Sequence, residues 1–558
     1  MRAVRHLWPL LLVLSAIAQQ ARAPQSNQLF RIAGVVVNAV SGEPLARASV
    51  QIGHSQTQAQ LQTVVTGKDG RFVFEGLTRG KYWLAAQRRG YPRQSFEQHG
   101  NFFTAIAVGP NLDTENLAFR IRPHASISGT ILDESGDPVR NAIVMLFRSG
   151  VESGRRGIVM RNQSNTDDRG VYHFGNLNEG TYYVAVTARP WYAQSRGLLA
   201  TAMTRNAKSE PGAAGSAEPA RKLNPALDVA YPITYYSGAT DSSEATPIVV
   251  KMGERATADF TLLPVPAVHL IVKVPDDRPN GMSNSQIPDN LMLSQRVFGT
   301  YQTNVFAEEA RIGNGEVEIS GIPPGRFDMK LQTFGKRPST REQEVDVAGD
   351  AALEAPKRDS SPVLINGIVT LEGHALPRPA FIRLWRRGSG DPLSAQVAKS
   401  GEFEIRQDHV TPGKYEVAVF GISGAAIRSV TAAGSQVQGQ SVEIASGGAI
   451  RLKIDLAQGL GEISGTAIRG DKTVSGAMIV LVPQDYENNT TLIRRDQSDS
   501  DGTFTLRSVL PGKYTVLALE NAWDLEWLNP SVLSPYMSAG TAVTVAPHGK
   551  YEIKVSAQ

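Results

Sequence analysis

Three aspartates, Asp496, Asp499 and Asp501, stand close together ahead of Gly502. Carboxylates at near-alternate positions can wrap a hard cation such as calcium, which is held by oxygen ligands. No glutamate follows where a calcium-binding helix–loop–helix needs its bidentate ligand, and hairpin turns are themselves rich in Asp. A turn is therefore the expected role. The same reading applies to Asp167–Asp168 and to Asp133, Glu134 and Asp137. The nine histidines, His6, His54, His99, His124, His173, His269, His374, His409 and His548, are never closer than 25 residues. That spacing leaves no pair one helical turn apart for zinc. The run Gly76-Leu77-Thr78-Arg79-Gly80-Lys81 looks like a phosphate loop, but it is one residue short and leads into a strand pattern. Phosphate loops need a helix N-terminus behind them. No Gly-x-Ser-x-Gly nucleophile elbow occurs. With no cysteine in the chain, thiolate metal sites and disulfides are excluded. No catalytic residue, metal or cofactor is expected.

Aromatic rings are the remaining candidates, because sugar rings stack on flat apolar faces. Trp191 and Tyr192 open a segment that leads back to Tyr235 and Tyr236. Trp523 and Trp527 lie four residues apart after the last repeat, a spacing that sets them on one face of a helix. Trp83 and Trp385 lie inside strand-like runs instead. The favoured reading of these loop aromatics is that they cap their own domain. Ligand stacking is the alternative, carried by Trp191, Tyr192, Tyr235, Tyr236, Trp523 and Trp527.

The elements that position these residues repeat along the chain. Ile32-Ala33-Gly34 is followed by Asp69-Gly70-Arg71-Phe72-Val73-Phe74 and then by Gly80-Lys81-Tyr82. The order returns as Ile127-Ser128-Gly129, Gly170-Val171-Tyr172-His173-Phe174 and Gly180-Thr181-Tyr182. It returns again as Ile365-Asn366-Gly367, Gly401-Glu402-Phe403-Glu404-Ile405 and Pro412-Gly413-Lys414-Tyr415. A last full copy reads Ile463-Ser464-Gly465, Asp501-Gly502-Thr503-Phe504-Thr505-Leu506 and Pro511-Gly512-Lys513-Tyr514. Gly34 to Gly80, Gly129 to Gly180, Gly367 to Gly413 and Gly465 to Gly512 span 46, 51, 46 and 47 residues. A degenerate copy retains Gly315-Glu316-Val317-Glu318-Ile319 and Pro324-Gly325-Arg326-Phe327. Asp-Gly supplies the positive φ of a tight hairpin, and residues two apart share one face of a strand. Short alternating strands with frequent turn signals give an all-β protein.

Gly-x-Phe-x-Phe followed by Leu-x-x-Gly-x-Tyr resembles the carboxypeptidase regulatory-like family. It is similar also to the wider carbohydrate-binding-like and Cna-B-type group. The resemblance implies a transthyretin-like (prealbumin-like) seven-stranded Greek-key β-sandwich, repeated about five times in tandem. It implies carbohydrate binding as well, without naming residues for it. Enzymes on related sandwiches are not matched: a transthyretin-like hydroxyisourate hydrolase ends near Tyr-Arg-Gly-Ser, whereas this chain ends Lys554-Val555-Ser556-Ala557-Gln558. An intradiol dioxygenase needs a His-x-His element that is missing.

Residues 1–18 read as a secretory signal peptide, with Arg2 and Arg5 before the apolar run Leu7–Ile17, which is too short to span a bilayer. Nothing later is a candidate transmembrane segment. The formal net charge of +4 argues against a nucleic-acid partner. The expected modules are 28–122, 123–264 with a mobile loop at 195–224, 265–350 (degenerate), 362–457 and 458–558, with a linker at 351–361. Such a chain is expected to be an elongated, exported, non-catalytic binding or scaffold protein. Its partner would be a polysaccharide or an envelope protein in the periplasm or at the cell surface. A purely structural stalk, adhesin spacer or accessory regulatory subunit is the alternative. A hydrolase with a site assembled from distant residues is a remote one.

Overall fold

The structure, a computed structural model, describes residues 28–55, 57, 61–194, 224–274, 290–299, 301–313, 316–333, 339–356, 363–386, 392–407, 410 and 412–558. Residues 1–18 and the segment 195–224, apart from Asn224, lie outside them. The repeated phrases become strands in one fixed order. In the first module the strands Phe30–Asn38, Ser49–His54, Gln62–Val65, Arg71–Leu77, Gly80–Arg88, Ile106–Val108 and Leu117–Ile121 form the frame. The fourth, first and seventh make one sheet; the third, second, fifth and sixth make the other. The first strand runs antiparallel to the fourth and parallel to the seventh. The same frame recurs in the other four modules, each with its first and seventh strands parallel. Five separate hydrophobic cores fill the five sandwiches.

The recurrent residues explain the frame. Phe72, Phe74, Phe403, Ile405, Phe504 and Leu506 are all buried between the sheets, each stabilising its module by roughly 1.5–3 kcal/mol. The first-strand glycine sits opposite the first of each pair: Gly34 against Phe72, Gly367 against Phe403, Gly465 against Phe504. A Cβ at Gly34 would lie 2.2 Å from the Leu117 carbonyl oxygen of the seventh strand, and one at Gly367 2.1 Å from that of Leu452. The glycine therefore admits both the ring and the parallel neighbour. In the third module Val272 faces Val317 at the matching position. Two medium side chains replace a glycine and a ring, so the core fills although the motif is lost.

Two expectations are corrected. Of the linker placed at 351–361, Ala351–Glu354 is the seventh strand of the third module, parallel to Leu270–Lys273, and Ala355 is buried in that core. The charged, proline-bearing residues that follow masked four residues of alternating pattern. The chain is also no elongated string, because its last module packs on its first two. Ala105 N–H donates to Asp499 Oδ1 (3.0 Å), Ala107 N–H to Ser500 Oγ (2.8 Å) and Ser500 N–H to the Ala105 carbonyl (2.9 Å). The long hairpin Ile143–Glu152/Arg155–Asn165 of the second module reaches the fifth, where Leu528 N–H donates to the Gly154 carbonyl (3.1 Å) and Arg156 pairs with Glu526 (3.0 Å).

Candidate functional site

Every cluster with chemical potential in the sequence lies at a turn or a joint. Asp501 accepts from the Thr503 N–H (3.1 Å) in a turn that joins strands of opposite sheets, where a hairpin was expected. Asp496 accepts from the Thr505 N–H (2.8 Å). Asp499 reaches out of its own module, accepting from Ala105 and pairing with Lys81. Lys81 is the lysine of the phosphate-loop look-alike, placed at the start of the fifth strand of the first module. Burial pushes the carboxyl groups of Asp496 and Asp499 above the usual range, and Lys81 opposes this at both. The three carboxylates thus face three different partners. Asp133 accepts from the N–H groups of Ser135 and Asp137 (2.9 and 2.8 Å). Asp167 accepts from those of Val171 and Arg169 (2.8 and 3.0 Å), and the Val171 bond leads in holding its carboxyl low. Among the described residues no three His, Asp or Glu side chains gather as metal ligands.

Trp523 and Trp527 do not share a helical face. They sit in turns ahead of the short helix Pro530–Met537, whose cap is Asn529, so the four-residue spacing carries no helical register. Trp523 stacks on His99 of the first module (ring centroids 4.6 Å apart, 4° between planes) and donates its indole N–H to the Gly476 carbonyl (3.2 Å). His99 shares Gln497 Oε1 through Nδ1 (3.2 Å), while Gln497 Nε2 donates to the Glu97 carbonyl and Thr104 Oγ1 (2.8 Å each). Burial, foremost, holds the His99 imidazole below its ordinary value. The Arg495 guanidinium lies over Phe102 of the first module and Trp527 of its own (5.0 and 4.3 Å to the ring centres). Burial lowers its pKa to about 10. Two aromatic faces stabilise that cation where a carboxylate would otherwise be needed. These rings join modules and do more than cap their own sandwich.

The tyrosines divide. Tyr235 is buried in the joint between the second and third modules, edge-on to Phe298 (5.2 Å), beside Phe147 and Val297. Tyr236 is half-buried against Phe260 (5.9 Å) in the second core. Tyr192 and Tyr231 both donate their hydroxyls to the Glu134 carboxylate. Burial first, then Glu134, pushes the Tyr192 phenol up to about 12. Trp191, edge-on to Tyr192 (5.7 Å), is 83% exposed. Of the six rings named from the sequence, Trp191 alone turns its face to solvent. Sequence reasoning missed His99, Phe102, Gln497 and Arg495, whose partners are about 400 residues distant along the chain.

The model of the carboxypeptidase regulatory-like domain matches residues 31–116 and 126–207. The match falls on the first module and on most of the second. Behind these two regulatory-like copies, residues 461–533 match the second beta sandwich domain of the NOMO1-like BOS complex subunit. No curated protein matches the chain. Solved structures that resemble it include a streptococcal ancillary pilin, at 11% identity over 52% of this chain and 98% of that one, with a TM-score of 0.19. The Bacillus anthracis TIE protein matches at 10% identity over 96% and 75%, TM-score 0.16. The minor pilin GBS52 of Streptococcus agalactiae matches at 12% over 42% and 96%, TM-score 0.21. At these identities and scores no function carries across from the pilins to the regulatory-like modules.

Proposed function

We propose that the chain is an exported, non-catalytic scaffold that holds one sugar-stacking ring, Trp191, clear of a braced set of β-sandwiches. The carrying observation is the fate of the reactive side chains. The aspartates, His99 and Arg495 are engaged in turns and in the contact between the first, second and fifth modules. Groups fixed in this way serve geometry. The exposed indole of Trp191 is backed by Tyr192, whose hydroxyl is held by Glu134, so it can stack on the apolar face of a sugar with little ordering cost. The basic and apolar opening of the sequence supports export to the cell envelope, where polysaccharide is the partner.

The test is retention on insoluble cell-wall glycans. The unaltered chain is expected to be retained, and Trp191→Ala to lose about tenfold or more, the scale of one aromatic–sugar contact. Failure of the unaltered chain to bind at about millimolar affinity, the weak end of specific recognition, would remove the glycan and leave a structural spacer. Burial of the neighbouring rings in packing favours that second reading.

A further inference from the structure

The fifth strand of the frame makes an internal comparison. The residue after Tyr82, Tyr182, Phe327, Tyr415 or Tyr514 points away from the core that those rings fill, and it differs from module to module. In the second module it is Tyr183, across from Phe147, and both rings pack on Phe298 of the third. In the third it is Asp328, across from Ser294 and held by Arg296 (2.7 Å). In the fourth and fifth the pairs are Glu416 with Trp385 and Thr515 with Val482. In the first the residue is Trp83, and across from it stands Gly53.

The frame itself therefore does not call for the Trp83–Gly53 pair. A Cβ at Gly53 would lie 2.7, 2.8 and 2.8 Å from three neighbouring atoms of the indole, Cζ2, Cε2 and Nε1. Near-equal distances to neighbouring ring atoms mean that the ring lies face down over the glycine. Its other face is turned outward, and Trp83 is only half-buried. Glycine inside a strand weakens it and is kept where something must approach the backbone closely. The Arg93 guanidinium, from the edge strand Tyr91–Ser95, lies over the ring at 5.7 Å from its centre. Close stacking would bring it to about 3.5–4 Å, so it flanks the indole and leaves its planar donors free. Arg93 is exposed, and among the described residues it is paired with no carboxylate. The same holds for Arg89, in the turn before that strand, and for Arg122, whose N–H donates to Gln94 Oε1 (2.9 Å) beside it. Residues 28–122 carry 11 Lys and Arg against 6 Asp and Glu, so the positive excess of a chain at +4 is gathered in this module.

We infer that this face of the first module is a second glycan site, separate from Trp191, and that it takes a polymer of uronic-acid sugars. The apolar face of a sugar ring stacks on the outward face of Trp83. The carboxylate of that sugar accepts two parallel N–H bonds from Arg93, the geometry that guanidinium and carboxylate share. Arg89 and Arg122 carry positive charge along the same sheet edge toward the carboxylates of neighbouring sugars. Single-stranded nucleic acids are held on successive aromatic platforms in a basic groove. One ring beside one guanidinium instead matches one sugar bearing its own carboxylate.

Biolayer interferometry on the full chain, with soluble polygalacturonate and with the same polymer methyl-esterified, tests this. Esterification removes the charge and keeps the sugar rings. The unaltered chain is expected to bind polygalacturonate with a Kd below about 1 mM, and the ester about tenfold more weakly. Arg93→Gln should bind the two forms alike, and Trp83→Ala should weaken both about tenfold. Arg120→Gln removes the same charge from the opposite sheet of the module and should change nothing. Trp191→Ala should keep the preference for the charged form, so this site and the one proposed above fail separately. Thermal melts matching the unaltered chain establish that the variants are folded, and the exposed Arg93 gives a reading even if Trp83→Ala does not fold. Absence of polygalacturonate binding at about 1 mM overturns the inference. So does a preference for the charged form that survives Arg93→Gln, binding indifferent to a folded Trp83→Ala, or an equal loss in Arg120→Gln. Tighter binding of single-stranded DNA through the same two residues would overturn the ligand class.

Discussion

At Gly129 a Cβ would stand 2.0 Å from the Ala258 carbonyl oxygen, whereas at Gly157, in the same module, nothing lies within 4 Å. One glycine admits the parallel seventh strand and the other is surface. Gly129→Ala is expected to destabilise by about 3 kcal/mol, because backbone cannot yield as a flexible side chain can. Gly157→Ala should stay within about 0.5 kcal/mol. Chemical denaturation of both variants checks the pair, and equal losses would show that the strand spacing has been misjudged. The sequence displayed this constraint as a glycine 46 to 51 residues ahead of the turn glycine. It did not display the carbonyl responsible, which is 129 residues away in the case of Gly129.

In the first, second and fifth modules the turn from the fourth strand to the fifth, which carries the chain from one sheet to the other, is closed by a tyrosine that bonds four residues back. Tyr82 donates to the Thr78 carbonyl (3.0 Å), Tyr182 to Asn178 (2.7 Å) and Tyr514 to Leu510 (2.8 Å). The ring fills the core while the hydroxyl satisfies a turn carbonyl. Tyr514→Phe should cost about 1–2 kcal/mol, the penalty of stranding that carbonyl. Burial raises the phenols of Tyr182, Tyr415 and Tyr514 above their ordinary value of 10.0. A group raised on folding stabilises fully below its unfolded value, and its contribution is lost as pH rises through the folded value. The melting temperature is therefore expected to hold up to about pH 10 and then fall, and replacing all three tyrosines by phenylalanine should flatten the alkaline limb. The third module has Phe327 at this position, so its turn is closed by packing alone. This corner was legible in the sequence, since ring, turn and spacing all lie within a few residues.

Across the whole molecule, the contact of the first, second and fifth modules turns a row of domains into a braced body. Inter-domain contacts within one chain are often small and polar, but this one has a stacked His99–Trp523 pair and Arg495 between two rings at its centre. Trp523→Ala is expected to loosen it by about 3 kcal/mol. Hydrogen exchange at Ala105 and Ala107, whose amides donate into the fifth module, should accelerate about 100-fold accordingly. Trp191→Ala should leave those amides unchanged. Protection that survives Trp523→Ala would mean that the indole stack does not hold the modules together.

The amino-acid sequence by itself determined the sandwich, its repetition and its turns, because hairpins, alternation and Asp-Gly chemistry are local and act within about ten residues. It pointed to turns for the Asp-rich stretches, although Asp496 lies in the strand Arg494–Gln497 and Asp499 reaches into the first module. The seventh strand at Ala351–Glu354 escaped it, since a parallel edge strand takes its pairing from Leu270–Lys273 and has no turn of its own. Tertiary structure alone decided which aromatic rings meet solvent and which meet another module. An exposed tryptophan and an interfacial one carry the same local pattern, and the difference lies in what the fold brings opposite them from hundreds of residues away.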